Sequence, residues 1–235
     1  MALNTIIIGG TSGIGLETAR YLNAHGYSVT VGARRPVDTD EGINYLSIDV
    51  TDESTIEKFF SSLPNNKIDS IIYTAGTTTS KKNITDFTVA EYRRVHDVNL
   101  LGAILILKYA YPLLKKAKGK VVIVSSFAAR TFSSFSGFEY TISKAGLSGM
   151  VKQLAVEWAN DGVLINTIFP SMVDTPMLRK NVEQAVLEPI EKGIPLGRIA
   201  QSEDIAAAIE FLISERNSYI TGAGIDINGG QFLSG

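Results

Sequence analysis

Thr5-Ile6-Ile7-Ile8-Gly9-Gly10-Thr11-Ser12-Gly13-Ile14-Gly15 lies near the amino end of the chain, and its reading decides the rest. A short apolar run rich in Ile predicts a strand. Glycines follow at 9, 10, 13 and 15, and helical periodicity sets in from Ile14 to Ala24. Glycine lets a tight turn adopt positive φ and lets backbone come close to a bulky group. The helix that follows presents free N–H groups and the positive end of its dipole to an anion such as a pyrophosphate. Thr11, Ser12 and Ile14 sit inside the same turn. The spacing G-x-x-x-G-x-G differs from the more widespread G-x-G-x-x-G, but the strand–turn–helix context is the one phosphate binding requires.

Outward from this turn the chain alternates. Apolar runs at Thr5–Ile8, Ser28–Val31, Tyr45–Ile48, Ser70–Tyr73, Lys120–Val124, Leu164–Ile168 and Gly224–Ile227 read as strands buried on both faces. Helical patterns lie between them at Ile14–Ala24, Glu53–Leu63, Val89–Leu114, Tyr140–Asn160 and Glu203–Ser214. The alternation predicts an α/β protein: a single domain over residues 1–235. Its expected core is a doubly wound, Rossmann-type sheet of about seven parallel strands with helices on both faces. Two segments break the rhythm, at about 127–139 (rich in Ser, Gly and Phe) and at about 170–198 (with four prolines). Both follow strands, so both belong at the carboxyl edge of the sheet, where ligands of such sheets bind.

The composition removes other classes. The chain of 235 residues is 45% hydrophobic, which suffices for a large core, and its net charge is −2. That balance argues against nucleic acid as a partner. With no cysteine and two histidines, His25 and His96, the chain has no thiolate metal site, no disulfide and no histidine-rich metal site. The apolar stretch Leu100–Leu107 contains Gly102 and ends at Lys108, too short to span a bilayer. The first residues lack the charged region of a signal peptide. A cytoplasmic setting, no membrane and a small-molecule partner are the expectation.

The second strand leads into Gly32-Ala33-Arg34-Arg35. A site for NAD places an acid near this point to bond the ribose 2′-OH, whereas arginine suits a 2′-phosphate. A guanidinium matches phosphate with a two-pronged fork. Arg34 and Arg35 therefore favour NADP, while Asp38, Asp40 and Glu41 keep NAD open.

Tyr140 and Lys144 stand four residues apart at the head of a long predicted helix and share one face. An ammonium close to a phenol favours the phenolate and tunes it toward general acid/base work. Upstream, the strand Val121–Val124 runs into Ser125-Ser126. Taken with the glycine turn, these residues resemble the short-chain dehydrogenase/reductase family, classical type, along nearly the whole chain and in the family's order. Gly9, Gly13 and Gly15 match its glycine motif, with Ile8 in place of threonine. Asp49-Val50 matches its adenine-contacting pair. Thr74-Ala75-Gly76 stands for its N-A-G, and Asn99 for its helix asparagine. Pro170-Ser171-Met172-Val173-Asp174-Thr175 is similar to its P-G-x-V-x-T, and Tyr219–Gly222 with Asn228-Gly229-Gly230 to its closing motifs.

The resemblance implies hydride transfer between a nicotinamide and a carbonyl or secondary alcohol. Tyr140 is then the acid/base, and a serine positions the substrate oxygen. Lys144 depresses the tyrosine pKa and holds the nicotinamide ribose. Asn99 anchors a water leading to Lys144, and Val173 with Thr175 holds the carboxamide. The family places its serine thirteen residues before the tyrosine, where this chain has Phe127. Ser126 is favoured, with a one-residue insertion behind it, and Ser125 stays open. Phe127, Phe132, Phe135 and Phe138, with Met172, Met177 and Leu178, point to an apolar substrate or to packing. The long helices imply a homodimer or homotetramer.

Overall fold

The computed structural model describes residues 2–35 and 40–233, so Asp38 lies outside the described residues. Seven strands form one parallel sheet: β1 (Asn4–Ile8), β2 (Ser28–Ala33), β3 (Ile43–Ser47), β4 (Ser70–Tyr73), β5 (Lys120–Val124), β6 (Leu164–Pro170) and β7 (Gly224–Ile227). Their order is β3-β2-β1-β4-β5-β6-β7. The chain winds outward one way from β1 and the other way from β4, so the switch point lies between these two strands. There Ile8 pairs with Gly32 of β2 and with Tyr73 of β4.

The doubly apolar strands explain the layers. Successive side chains of a strand point to opposite faces. Ile6 and Ile8, with Ile71, Tyr73, Val121 and Ile123, pack in one core cluster with residues of α2 (Glu53–Ser61), α4 (Gly102–Ala117) and α5 (Phe138–Trp158). Ile7, Val31, Ile72 and Val122 pack in a second with α1 (Gly13–Ala24) and α8 (Ser202–Ile213).

Two departures from the sequence expectation matter for function. The run expected as one helix over Val89–Leu114 is α3 (Val89–His96), a π-helical turn (Asp97–Leu101) and α4. The turn's extra residue re-aims the backbone at Asn99, as such bulges do. By length and composition the 29 residues Val89–Ala117 pass for a membrane span. Here Ala103, Ile106, Leu107, Ala110 and Leu114 pack into the core instead. The second departure lies in the proline-rich segment, which folds into α6 (Pro176–Asn181) and α7 (Gln184–Gly193). The Thr175 hydroxyl caps α6 by accepting from the Leu178 N–H at 3.3 Å, and Pro176 occupies the first helical position.

Candidate active site

The glycine turn forms a cradle at the switch point. Gly9 has φ +97° and its N–H donates to the Gly32 carbonyl at 2.8 Å, which extends the ladder past β1. A Cβ on Gly15 would meet the Gly9 carbonyl oxygen and the Thr74 hydroxyl, each at 2.5 Å. Glycine is required at both positions, because α1 starts hard against the end of β1. The amino end of α1 carries no side-chain cap and no acidic residue in its first turn. Its first N–H groups are thus left to an anion.

A cleft of about 720 Å³ opens over this cradle. Thr11, Ser12, Gly13 and Ile14 line its floor, Asp49 and Val50 the wall beyond β3, and Thr74, Ala75 and Gly76 the side toward β4. Arg34 and Arg35 border it as exposed side chains. Where the family motif has asparagine, the Thr74 hydroxyl donates to the Ile8 carbonyl at 2.9 Å and joins β4 to β1. This uncapped, glycine-cleared cradle fits a dinucleotide pyrophosphate, and the arginines fit a ribose phosphate.

Tyr140 and Lys144 border the inner end of the cleft. Lys144 is buried; its ammonium donates to the Val124 carbonyl at 3.0 Å and lies 5.8 Å from the centre of the Tyr140 ring. Burial lowers its pKa to about 8. Burial also pushes the Tyr140 phenol up, and hydrogen bonding by the Ser126 hydroxyl pulls the other way. The two candidate serines therefore separate by contact. Ser126 faces Tyr140 and also accepts from the Ala128 N–H at 3.1 Å. Ser125 is buried and spends its hydroxyl on the Lys144 carbonyl at 2.8 Å, bracing α5 against β5.

Asn99, fully buried, is held from both sides. Its Oδ1 accepts from the Thr77 N–H at 2.8 Å, and its Nδ2 donates to the Thr77 carbonyl and the Ser143 hydroxyl, both at 2.9 Å. Its Oδ1 and the Lys144 ammonium flank Gly76, at 3.6 and 3.5 Å from the place a Cβ would take. Val173 bridges to Ala200 through the flanking Asp174 N–H and Met172 carbonyl. Pro170 closes β6 beneath it. Thr175 Cγ2 lies 3.3 Å from the place a Cβ on Gly13 would take, where the cleft meets α6.

Some contributors were not singled out by sequence reasoning. Arg94 borders the cleft and holds the Thr77 hydroxyl (2.8 Å) and the Thr78 carbonyl (3.0 Å). Glu139, next to Tyr140 and with no exposure, pairs with Lys82 at 2.8 Å. Burial works against its charge, but Lys82, its own amide and Thr79 hold the carboxyl below its usual range. Lys82 also reaches Glu91 at 2.6 Å, so the cluster ties the loop after β4 to the head of α5. The one available signal was a lone acid beside Tyr140 in a segment otherwise poor in charge.

A cradle for pyrophosphate at the switch point of a doubly wound parallel sheet is the mark of dinucleotide-binding α/β proteins. The match to a family model for enoyl-(acyl carrier protein) reductase covers residues 9–231, and the chain belongs to the short-chain dehydrogenase/reductase family of oxidoreductases. A cis-4-hydroxycyclohexanecarboxylate dehydrogenase of Sinomonas cyclohexanicum is 30% identical over 237 residues, covering 96% of this chain and 94% of that one. The structure of ElxO with NADP bound superposes with a TM-score of 0.90 at 27% identity, covering 98% of this chain and 99% of that one. An NADH-dependent reductase responsible for alginate metabolism superposes with a TM-score of 0.87 at 26% identity, over 99% and 98%.

Proposed function

We propose that the protein interconverts a carbonyl compound and a secondary alcohol with a nicotinamide cofactor, NADP in preference to NAD. The observation that carries this reading is the meeting of Tyr140, Ser126 and Lys144 where the glycine-floored cleft adjoins a second cavity. The cradle Gly9–Gly15 would hold the pyrophosphate. Asp49 and Val50 would hold the adenine, Arg34 and Arg35 the 2′-phosphate, and Thr74–Gly76 would wall the cleft. Tyr140 and Lys144 would hold the nicotinamide ribose, with Pro170, Val173 and Thr175 at the carboxamide. When bound, the nicotinamide supplies or accepts the hydride.

In the reducing direction Tyr140 gives its phenolic proton to the carbonyl oxygen, while Ser126 bonds the same oxygen and fixes its position. In the oxidising direction the phenolate takes the hydroxyl proton. Burial pushes the phenol toward its protonated form, and the Ser126 hydroxyl supports the charged form. Lys144, titrating near 8, exchanges protons close to neutrality, and Asn99 beside it would anchor a relaying water. The segments 127–139 and 170–198 enclose the substrate, and their Phe and Met side chains support an apolar one. Exposed Leu101 at the end of the π-helical turn and Ile104 on α4, with Ile142 and Val156 on α5, support a homodimer or homotetramer. A nearly neutral chain without cysteine supports a cytoplasmic setting.

The test is a screen of ketones and secondary alcohols that follows NADPH absorbance, with Tyr140→Phe as control. Turnover falls by about a thousandfold or more in the variant, while NADPH affinity stays within about twofold. Turnover retained without the phenol overturns the assignment.

A further inference from the structure

The cavity that adjoins Tyr140 and Ser126 has a volume of about 450 Å³, and its walls sort by chemistry. One wall is hydroxyl-rich: Thr78, Thr79 and Ser80 after β4, with Ser133, Ser134 and Ser136. The bridge between Ser80 and Ser136, and the Gly137 N–H bonded to the Thr79 carbonyl at 3.2 Å, make these two strips continuous. The Ser133 oxygen accepts from the Phe135 and Ser136 N–H groups, so its hydroxyl proton is left to another acceptor. Another wall is apolar: Met172, Met177, Leu178, Val182 and Ile190.

Among the described residues, no Asp, Glu, Lys, Arg or His lines this cavity. Of the charged residues near the walls in sequence, Lys81 and Glu183 are exposed and, like Glu191, are not among the lining residues, while three others are engaged elsewhere. Glu139 pairs with Lys82, Arg130 with Asp226 at 3.0 Å, and Arg179 with Asp174 at 2.7 Å. Arg94 holds Thr77 and Thr78. A carboxylate or phosphate brought into this cavity would lose its water and find no counter-charge, which is strongly unfavourable.

Resting on the reading of Tyr140 as the reacting end, we infer that the substrate presents no charged group to this cavity. It is an uncharged ketone or secondary alcohol. Its apolar bulk lies against the methionine wall, and a neutral oxygen function (hydroxyl, ether or ester) lies against the hydroxyl wall. Any charged part of a larger substrate stays outside.

The experiment uses matched ester and acid probes on the full chain with NADP(H): methyl 4-oxocyclohexanecarboxylate against its free carboxylate, and methyl 4-acetylbenzoate against 4-acetylbenzoate. Binding is read by ligand-detected NMR and turnover by NADPH absorbance. The esters are expected to exceed the acids by about a hundredfold or more in affinity and in kcat/KM. Acids that bind as well as the esters overturn the inference, and so does the binding of neither. Esters that bind but are not turned over leave the inference standing and remove the redox reading. Leu178→Arg, with its fold checked by melting temperature, is expected to narrow the ester-to-acid ratio about tenfold or more; an unchanged ratio counts against the inferred wall.

Discussion

The two cavities that meet at Tyr140 are built by different means. The dinucleotide cleft is largely backbone: a turn cleared of side chains, the start of α1, and the ends of β1, β2 and β4. The second cavity, proposed for the substrate, is largely side chains, carried on segments that follow β4, β5 and β6. A backbone site tolerates little variation, because each added atom strikes main chain. A side-chain site can be changed residue by residue without disturbing the sheet. The division explains how one scaffold can keep its cofactor chemistry while its substrates differ, and it orders the effects expected from substitution.

The strongest expected break falls on the backbone half. In Gly15→Ala the new methyl meets the Gly9 carbonyl at 2.5 Å, and main chain can move only by shifting β1 against α1. NADPH affinity should fall by about a hundredfold or more, with about 2 kcal/mol lost from unfolding in urea. Near-native affinity would mean that the cradle yields more readily than a backbone site should.

The serine pair separates chemistry from bracing. Ser126→Ala should cut kcat by about a hundredfold with little change in melting temperature. Ser125→Ala removes a buried bond to the Lys144 carbonyl. It should cost about 1 kcal/mol of stability and leave kcat within about fivefold. A reversal of these two outcomes would move the substrate-positioning role to Ser125.

Arg34→Ala probes the rim of the cleft, where the comparison is weakest because the site there is a side chain on an exposed loop. NADPH affinity should drop about tenfold and NADH affinity should hold within about twofold. Equal losses would remove the arginine argument for NADP.

The same contrast decides what could be read without a structure. All seven strands and the cradle were legible, because apolar runs and obligatory glycines are local signals, although the half-buried edge strand β3 begins two residues before the expected Tyr45. Ser126 over Ser125 was not settled by counting: the offset from Tyr140 is consistent with an insertion, and only the orientation of the two hydroxyls separates them. The π-helical turn that delivers Asn99 has no local signature in Asp97-Val98-Asn99-Leu100-Leu101. It is set by the two-sided grip on Thr77, 22 residues away. The cap of α6 was readable in Thr175-Pro176, yet the prolines of the segment, Pro189 inside α7 among them, masked both helices. Glu139 and Lys82 could not be paired from sequence, since the contact joins segments from different strands.

Lys144 belongs to both halves, and its effect on stability is small and has the least expected sign. An unfolded lysine titrates near 10.5 and the buried one near 8. Between these values the unfolded chain binds more protons than the folded one, so stability rises with pH across that window. Below about 8 the fold carries the full cost of a buried ammonium. Lys144→Met removes the charge while filling similar space. It should abolish turnover yet raise the free energy of unfolding of the cofactor-free protein at pH 7 by about 1 kcal/mol. The gain should shrink as the pH climbs from 8 toward 10.5. Urea unfolding at the two ends of that window distinguishes the cases. A variant less stable at both ends means that the bond to the Val124 carbonyl outweighs the buried charge, and that Lys144 is held by the fold rather than tolerated by it for the sake of the reaction.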